Sequence, residues 1–144
     1  SAERRQLAQT FGADEVIDPL NNDVVSAIKD LTSGEGAHKS LDCSSNSEAR
    51  AQAVKCVRTW GKACYVGEGG DVSLDVSNDL IRRQVTLIGS WTFSKNGQAD
   101  CASFVSERKI DVDALFTHEF KLEEAKEAYQ LFDQQTTGKG VFLM

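Results

Sequence analysis

The chain is short of several things, and each shortage excludes a class of protein. It has one proline, Pro19, and its apolar residues never run to the roughly 20 that a membrane-spanning helix requires. No positively charged stretch followed by an apolar core opens the chain, as an export signal would. Residues 1–12, SAERRQLAQTFG, instead begin inside a helical pattern and without Met, which points to a processed or excised start and a cytoplasmic setting. Basic charge is also in deficit: 16 Lys and Arg against 22 Asp and Glu leave a formal charge of -6. Such a surface repels polyanions, so neither nucleic acid nor an anionic membrane is the expected partner. The four cysteines, Cys43, Cys56, Cys64 and Cys101, form no CxxC pair, and with two histidines in the chain no cluster has zinc-finger spacing. They are expected as reduced, mostly buried thiols, with no metal site.

What is present suits a globular α/β protein. The 144 residues, 40% apolar and 26% charged, suffice for a hydrophobic core. Residues 1–11 place Ala2, Leu7, Ala8 and Phe11 on one helical side, and Gly12 supplies the left-handed stop. A strand over 15–18 ends at Pro19, and Asn22 or Asp23 caps a helix carrying Val24, Val25, Ile28 and Leu31. The pattern then predicts a strand over 38–43, a helix over 48–59, a strand over 62–66 and the glycine turn 67–70. An extended piece over 72–76, a helix over 77–83 and a strand over 85–91 follow. The last third reads as a helix over 97–108, an extended piece over 115–120, a helix over 122–134 and a strand over 140–144. Strands alternating with helices predict a doubly wound parallel sheet covered on both faces. Ligands of such sheets lie beyond the carboxyl ends of the strands, here Asp18, residues 43–46, 66–69 and 89–93.

Several stretches, taken in order, resemble the coenzyme-binding half of the zinc-dependent medium-chain dehydrogenases, the alcohol, sorbitol and threonine dehydrogenases. They are SAERRQLAQTFGADEVID, LDCSSN, TWGKACYVGEGG, VTLIGSW, and FTHEFKLEEAKEAYQLF followed by TTGKGVFLM. The resemblance implies an incomplete Rossmann-like sheet lacking its first βαβ portion. Residues 1–92 would be a partial dinucleotide-binding domain, and 93–144 a tail that packs back toward the catalytic domain. It also implies NAD or NADP as cofactor. Val66 and Gly67 would sit beside the nicotinamide ribose, and the backbone of Ser90, Trp91 and Thr92 beside the carboxamide. Ser44 and Ser45 would pass the adenosine side, Arg4 the adenine ribose, and Lys139 the pyrophosphate.

Other features limit that expectation. The Gly-x-Gly-x-x-Gly fingerprint is absent, and Gly67-Glu68-Gly69-Gly70 has no helix directly behind it to present N–H groups to a pyrophosphate. Family zinc ligands belong to a catalytic domain that these residues do not include, so a fragment inactive alone is expected, with zinc in the parent family rather than here. The alternative is a non-catalytic dimerisation or interaction module, joined through the apolar strand over 85–90 or an exposed sheet edge. His38-Lys39-Ser40 is unusually polar for a strand buried on both faces, and Ser45 stands where the family has Gly. The remaining candidates have ordinary readings. His118 is expected to be structural, Asp42 a strand-end cap, Arg82 and Arg83 solvated charges, and Glu123 and Glu124 acids offsetting a helix dipole.

Overall fold

The computed structural model describes residues 1–134 and 137–144; Gln135 and Thr136, the latter opening the TTGKGVFLM stretch, lie outside them. The chain divides into two compact units, Pro19–Thr92 and a second built from Ser1–Asp18 with Phe93–Met144.

The Pro19–Thr92 unit is built on three parallel strands in the order β1 (Ala37–Asp42), β2 (Val57–Tyr65) and β3 (Thr86–Gly89). Parallel neighbours need crossovers, and α3 (Ser47–Lys55) supplies the first. Asn46 caps it by accepting from the N–H groups of Glu48 and Ala49. The second crossover passes through a π-helical turn, Val76–Ile81, in place of the helix expected over 77–83. Before β1, α2 (Val24–Leu31) is capped by Asp23 rather than Asn22.

The core lies between the sheet and α3. Val54, Val57 and Ala63 are fully enclosed, with Ala51, Ala53 and Cys56 around them. Ser40 Oγ donates to the Ala53 carbonyl and Tyr65 Oη to the Arg50 carbonyl, fixing which sheet face meets the helix. The alternate residues Lys39, Leu41, Lys62 and Ile88 face the other way and are exposed, Leu41 by 63%. Within this unit no described element packs on the second face. The polar run His38-Lys39-Ser40 is accommodated because this strand is open to water. α3 stops four residues earlier than the pattern suggested, since Val57 pairs with Ala37 and pulls the following residues into β2.

In the second unit α1 (Ala2–Thr10) ends as expected at Gly12, whose φ is +92°. The strand expected over 15–18 does not form, because among the described residues no partner strand lies beside it. Arg5 instead holds Asp18 at 3.0 Å. Beyond α4 (Lys95–Glu107), β4 (His118–Lys121) and β5 (Gly140–Leu143) pair in parallel across α5 (Ala125–Asp133). Glu124 belongs to a 3-10 turn before α5 and accepts from the Lys121 N–H at 2.7 Å, a tighter role than dipole compensation. His118 stands edge-on to Phe132 and parallel to Phe120, inside an aromatic cluster completed by Phe142 and Tyr129.

The cysteines depart from expectation. Cys56 is buried, but Cys43 and Cys101 are exposed and Cys64 half-buried; all four are free. Cys43 follows β1 at the sheet's end, and α4, which carries Cys101, has no buried residue.

Replacing Val54 by Ala removes two methyl groups from the closed seam between α3 and the sheet. A loss of about 2 kcal/mol is expected, read as a lower urea midpoint with unchanged slope.

Candidate functional site

The three strands of the Pro19–Thr92 unit end together, and their last residues form one rim. The Ser90 N–H donates to the Tyr65 carbonyl at 3.0 Å, continuing the β2–β3 ladder past Gly89. The N–H groups of Val66 and Gly67 both reach the Asp42 carbonyl, at 2.9 and 3.2 Å. Residues 42–45, 65–67 and 89–92 thereby lie side by side, as the strand-end rule predicts.

Asp42 organises this rim. Its carboxylate accepts from the Ser44 hydroxyl at 2.6 Å, the Ser44 N–H at 3.0 Å and the Ser45 N–H at 3.3 Å, bending the chain sharply after β1. Arg50, from α3, adds an ion pair at 3.4 Å, and its outer nitrogen donates to the Gly67 carbonyl at 2.6 Å. Its guanidinium also lies 5.5 Å from the Tyr65 ring. Both partners are buried, Asp42 5% and Arg50 8% exposed. Burial pushes the Asp42 carboxyl up, but the hydrogen bonds from Ser44, Ser45 and Arg50 together outweigh it and hold the group below its ordinary value of 3.8.

Gly67 has a packing reason to be glycine. A Cβ there would stand 2.5 Å from the Ser45 nitrogen, so the turn after β1 occupies the space a side chain would need. Ser45 itself has φ +59°, in the region that favours glycine, which accounts physically for the glycine that the resemblance puts at this position. Thr92 also has a left-handed φ, +44°.

Seven sequence-predicted residues meet at this rim. Ser44, Val66, Ser90, Trp91 and Thr92 are exposed, Trp91 by 67%, while Ser45 and Gly67 are half-buried. Trp91 is thus not a core residue. Arg4 and Lys139 belong to the other unit. There Arg4 Nε donates to the Thr137 carbonyl at 2.9 Å, and Thr137 Oγ1 donates to Glu3, tying α1 to the tail. Lys139 is exposed; its backbone pairs with Thr117, and it lines an apolar groove of about 310 Å³ with Phe120, Phe132 and Phe142.

The sequence pattern marks neither Arg50 nor Arg83 as a working part. Arg83, expected to be a solvated charge, donates to the carbonyls of Val54 and Val57 and secures the turn between α3 and β2. In the sequence Arg50 and Gln52 are the two polar residues among Ala49, Ala51, Ala53 and Val54, which does not set Arg50 apart from a solvated charge.

A parallel α/β rim of this kind is the nucleotide-binding arrangement of the Rossmann-like dehydrogenase domains. The zinc-binding dehydrogenase family model matches residues 1–107, and the chain belongs to that family. An uncharacterized zinc-type alcohol dehydrogenase-like protein of Escherichia coli is 40% identical over 79% of this chain, which spans 32% of that relative. L-threonine 3-dehydrogenase of Pyrococcus abyssi is 32% identical over 98% of the chain, which spans 41% of that enzyme. Among solved structures, the alcohol dehydrogenase of Thermotoga maritima is 26% identical with a TM-score of 0.85, over 99% of this chain and 40% of that one. The chain thus spans well under half the length of the relatives it matches. Among the described residues no group of three or more His, Cys, Asp or Glu gathers to hold a metal ion, so the family's zinc finds no donor set there. No helix among them is long and apolar enough to cross a membrane.

The Asp42–Arg50 pair makes a direct prediction. Arg50→Met leaves a buried carboxylate without its cation, and a loss of about 3 kcal/mol is expected in urea denaturation at neutral pH. Because the folded pKa of Asp42 is depressed, its contribution is present above 3.8 and fades as pH falls through the folded value. Asp42→Asn is therefore expected to flatten the acid limb of the stability curve.

Proposed function

We propose that the chain is the nucleotide-binding portion of a cytoplasmic NAD(P)-dependent alcohol or polyol dehydrogenase and does not transfer hydride by itself. The observation that carries this reading is the rim, where the ends of three parallel strands bring Ser44, Ser45, Val66, Gly67, Ser90, Trp91 and Thr92 together. When bound, a nicotinamide dinucleotide supplies the hydride acceptor or donor. This chain's part is to seat it. Val66 and Gly67 face the nicotinamide ribose, the backbone of Ser90 to Thr92 takes the carboxamide, and Ser44 and Ser45 border the adenosine side. For Arg4 and Lys139, which belong to the other unit, the adenine-ribose and pyrophosphate roles rest on the resemblance alone.

The same features argue for weak seating. Asp42 already engages the Ser44 hydroxyl, Thr137 engages Arg4, and the sequence has no glycine fingerprint to wrap the pyrophosphate. Calorimetric titration with NAD and NADP is expected to give a saturable isotherm near 1 mM, about -4 kcal/mol. A flat trace with both nucleotides at several times that concentration sinks the nucleotide reading.

A second reading, a dimerisation module, is favoured by β3. It forms one edge of the sheet and all four of its residues are exposed, Leu87 by 41% and Ile88 by 39%. Open edges carry unpaired N–H and C=O groups that a second copy can satisfy. Light scattering is expected to give twice the chain mass, and Ile88→Lys to return the monomer. A monomer at high concentration removes this reading.

A further inference from the structure

At the opposite end of β1 and β2, roughly 20 Å from the rim along the strands, a corner carries features unused by the nucleotide reading. Ala37 pairs with Val57 and Lys39 with Lys62, so Arg58, Thr59, Trp60 and Gly61 bulge out of the ladder. The preceding loop closes on them: Gly36 has φ +98°, and a Cβ there would meet the Cys56 carbonyl oxygen at 2.7 Å. Between loop and bulge lies an open cavity of about 400 Å³, lined by Gly34, Glu35, Arg58, Thr59 and Trp60.

Trp60 is 69% exposed and has φ +59°, so its indole is neither packed nor on a backbone that suits it. A bulky residue in that region costs about 1 kcal/mol or more. The conformation is imposed from both sides. The Trp60 N–H donates to the Arg83 carbonyl at 2.9 Å, and Gly61 has no room for a Cβ, which would fall 2.7 Å from the Val57 Cβ. Arg58 is the second anomaly. Its Nε is buried without a hydrogen-bond partner, and among the described residues no ion pair holds its guanidinium. Glu35, on the same cavity wall, has no ion-pair partner among them either.

We propose that this corner binds a free amino acid with a flat apolar side chain. The ligand carboxylate meets the Arg58 guanidinium, its ammonium meets the Glu35 carboxylate, and its ring stacks on the Trp60 indole. A simple anion would be repelled by Glu35 and a simple amine by Arg58; a zwitterion satisfies both. The site is independent of the nucleotide rim in position and in ligand chemistry.

The test uses L-phenylalanine as probe and amide and indole chemical shifts of the 144-residue chain as readout. Saturating shifts are expected at the Trp60 indole and at the Gly34, Glu35 and Thr59 amides, with Ser44 and Gly67 unmoved. Arg58→Gln and Trp60→Gly should each weaken binding at least about tenfold, and so should offering benzoate or phenethylamine, which each lack one charge. Several outcomes overturn the proposal: no saturable shift, undiminished binding by Arg58→Gln or Trp60→Gly, or binding of benzoate or phenethylamine equal to phenylalanine.

Discussion

The buried carboxylate of Asp42 gathers the donors that shape the end of β1: the Ser44 hydroxyl, the Ser44 and Ser45 N–H groups and the Arg50 guanidinium. Through Arg50 the same carboxylate is linked to the Gly67 carbonyl, and through its own backbone carbonyl to the Val66 and Gly67 N–H groups. Strand ends are the least constrained parts of a sheet, since the ladder stops there. Here a charge withdrawn from water replaces the ladder. An ionised carboxylate is tolerated at 5% exposure because several donors are aimed at it, and those donors are the parts that must be positioned.

That constraint explains local choices which look arbitrary in isolation. The bend after Asp42 forces Ser45 to φ +59° and brings its nitrogen against position 67, so that a glycine is required there for internal reasons. A glycine that the resemblance places beside a ribose is thus already needed by the protein's own backbone. The two roles are compatible, because a turn packed tightly enough to exclude a Cβ leaves backbone groups facing outward. Arg50 is held on its other side by Tyr65, whose hydroxyl returns to the Arg50 carbonyl, so helix and rim are coupled in both directions.

The sheet below the rim is thin. α3 seals one face with small residues, Ala51, Ala53, Val54 and Ala63, which allow close helix–strand approach. The other face exposes Leu41 and Ile88 beside two lysines. A strand buried on both faces reads as a nearly continuous apolar run; β1, with His38-Lys39-Ser40, does not, and its polarity matches its exposure. In the second unit the aromatic cluster of His118, Phe120, Phe132, Phe142 and Tyr129 plays the part that Val54 and Val57 play in the first.

Sequence alone was enough for the alternation of helix and strand, the parallel sheet, the left-handed stop at Gly12, and the adjacency of residues 43–46, 66–69 and 89–92. Each follows from local chemistry or from a topological rule that holds for any βα chain. Where β2 begins, the failure of residues 15–18 to pair, and the exposure of Trp91, Cys43 and Cys101 were decided by tertiary structure. A strand exists only if a neighbour supplies its hydrogen bonds, and burial depends on what arrives from elsewhere in the chain. The same holds for Arg50 and Arg83: nothing in their local pattern marks a guanidinium that bonds inside the fold, and their acceptors lie 8 to 29 residues away along the chain, brought close only by the fold.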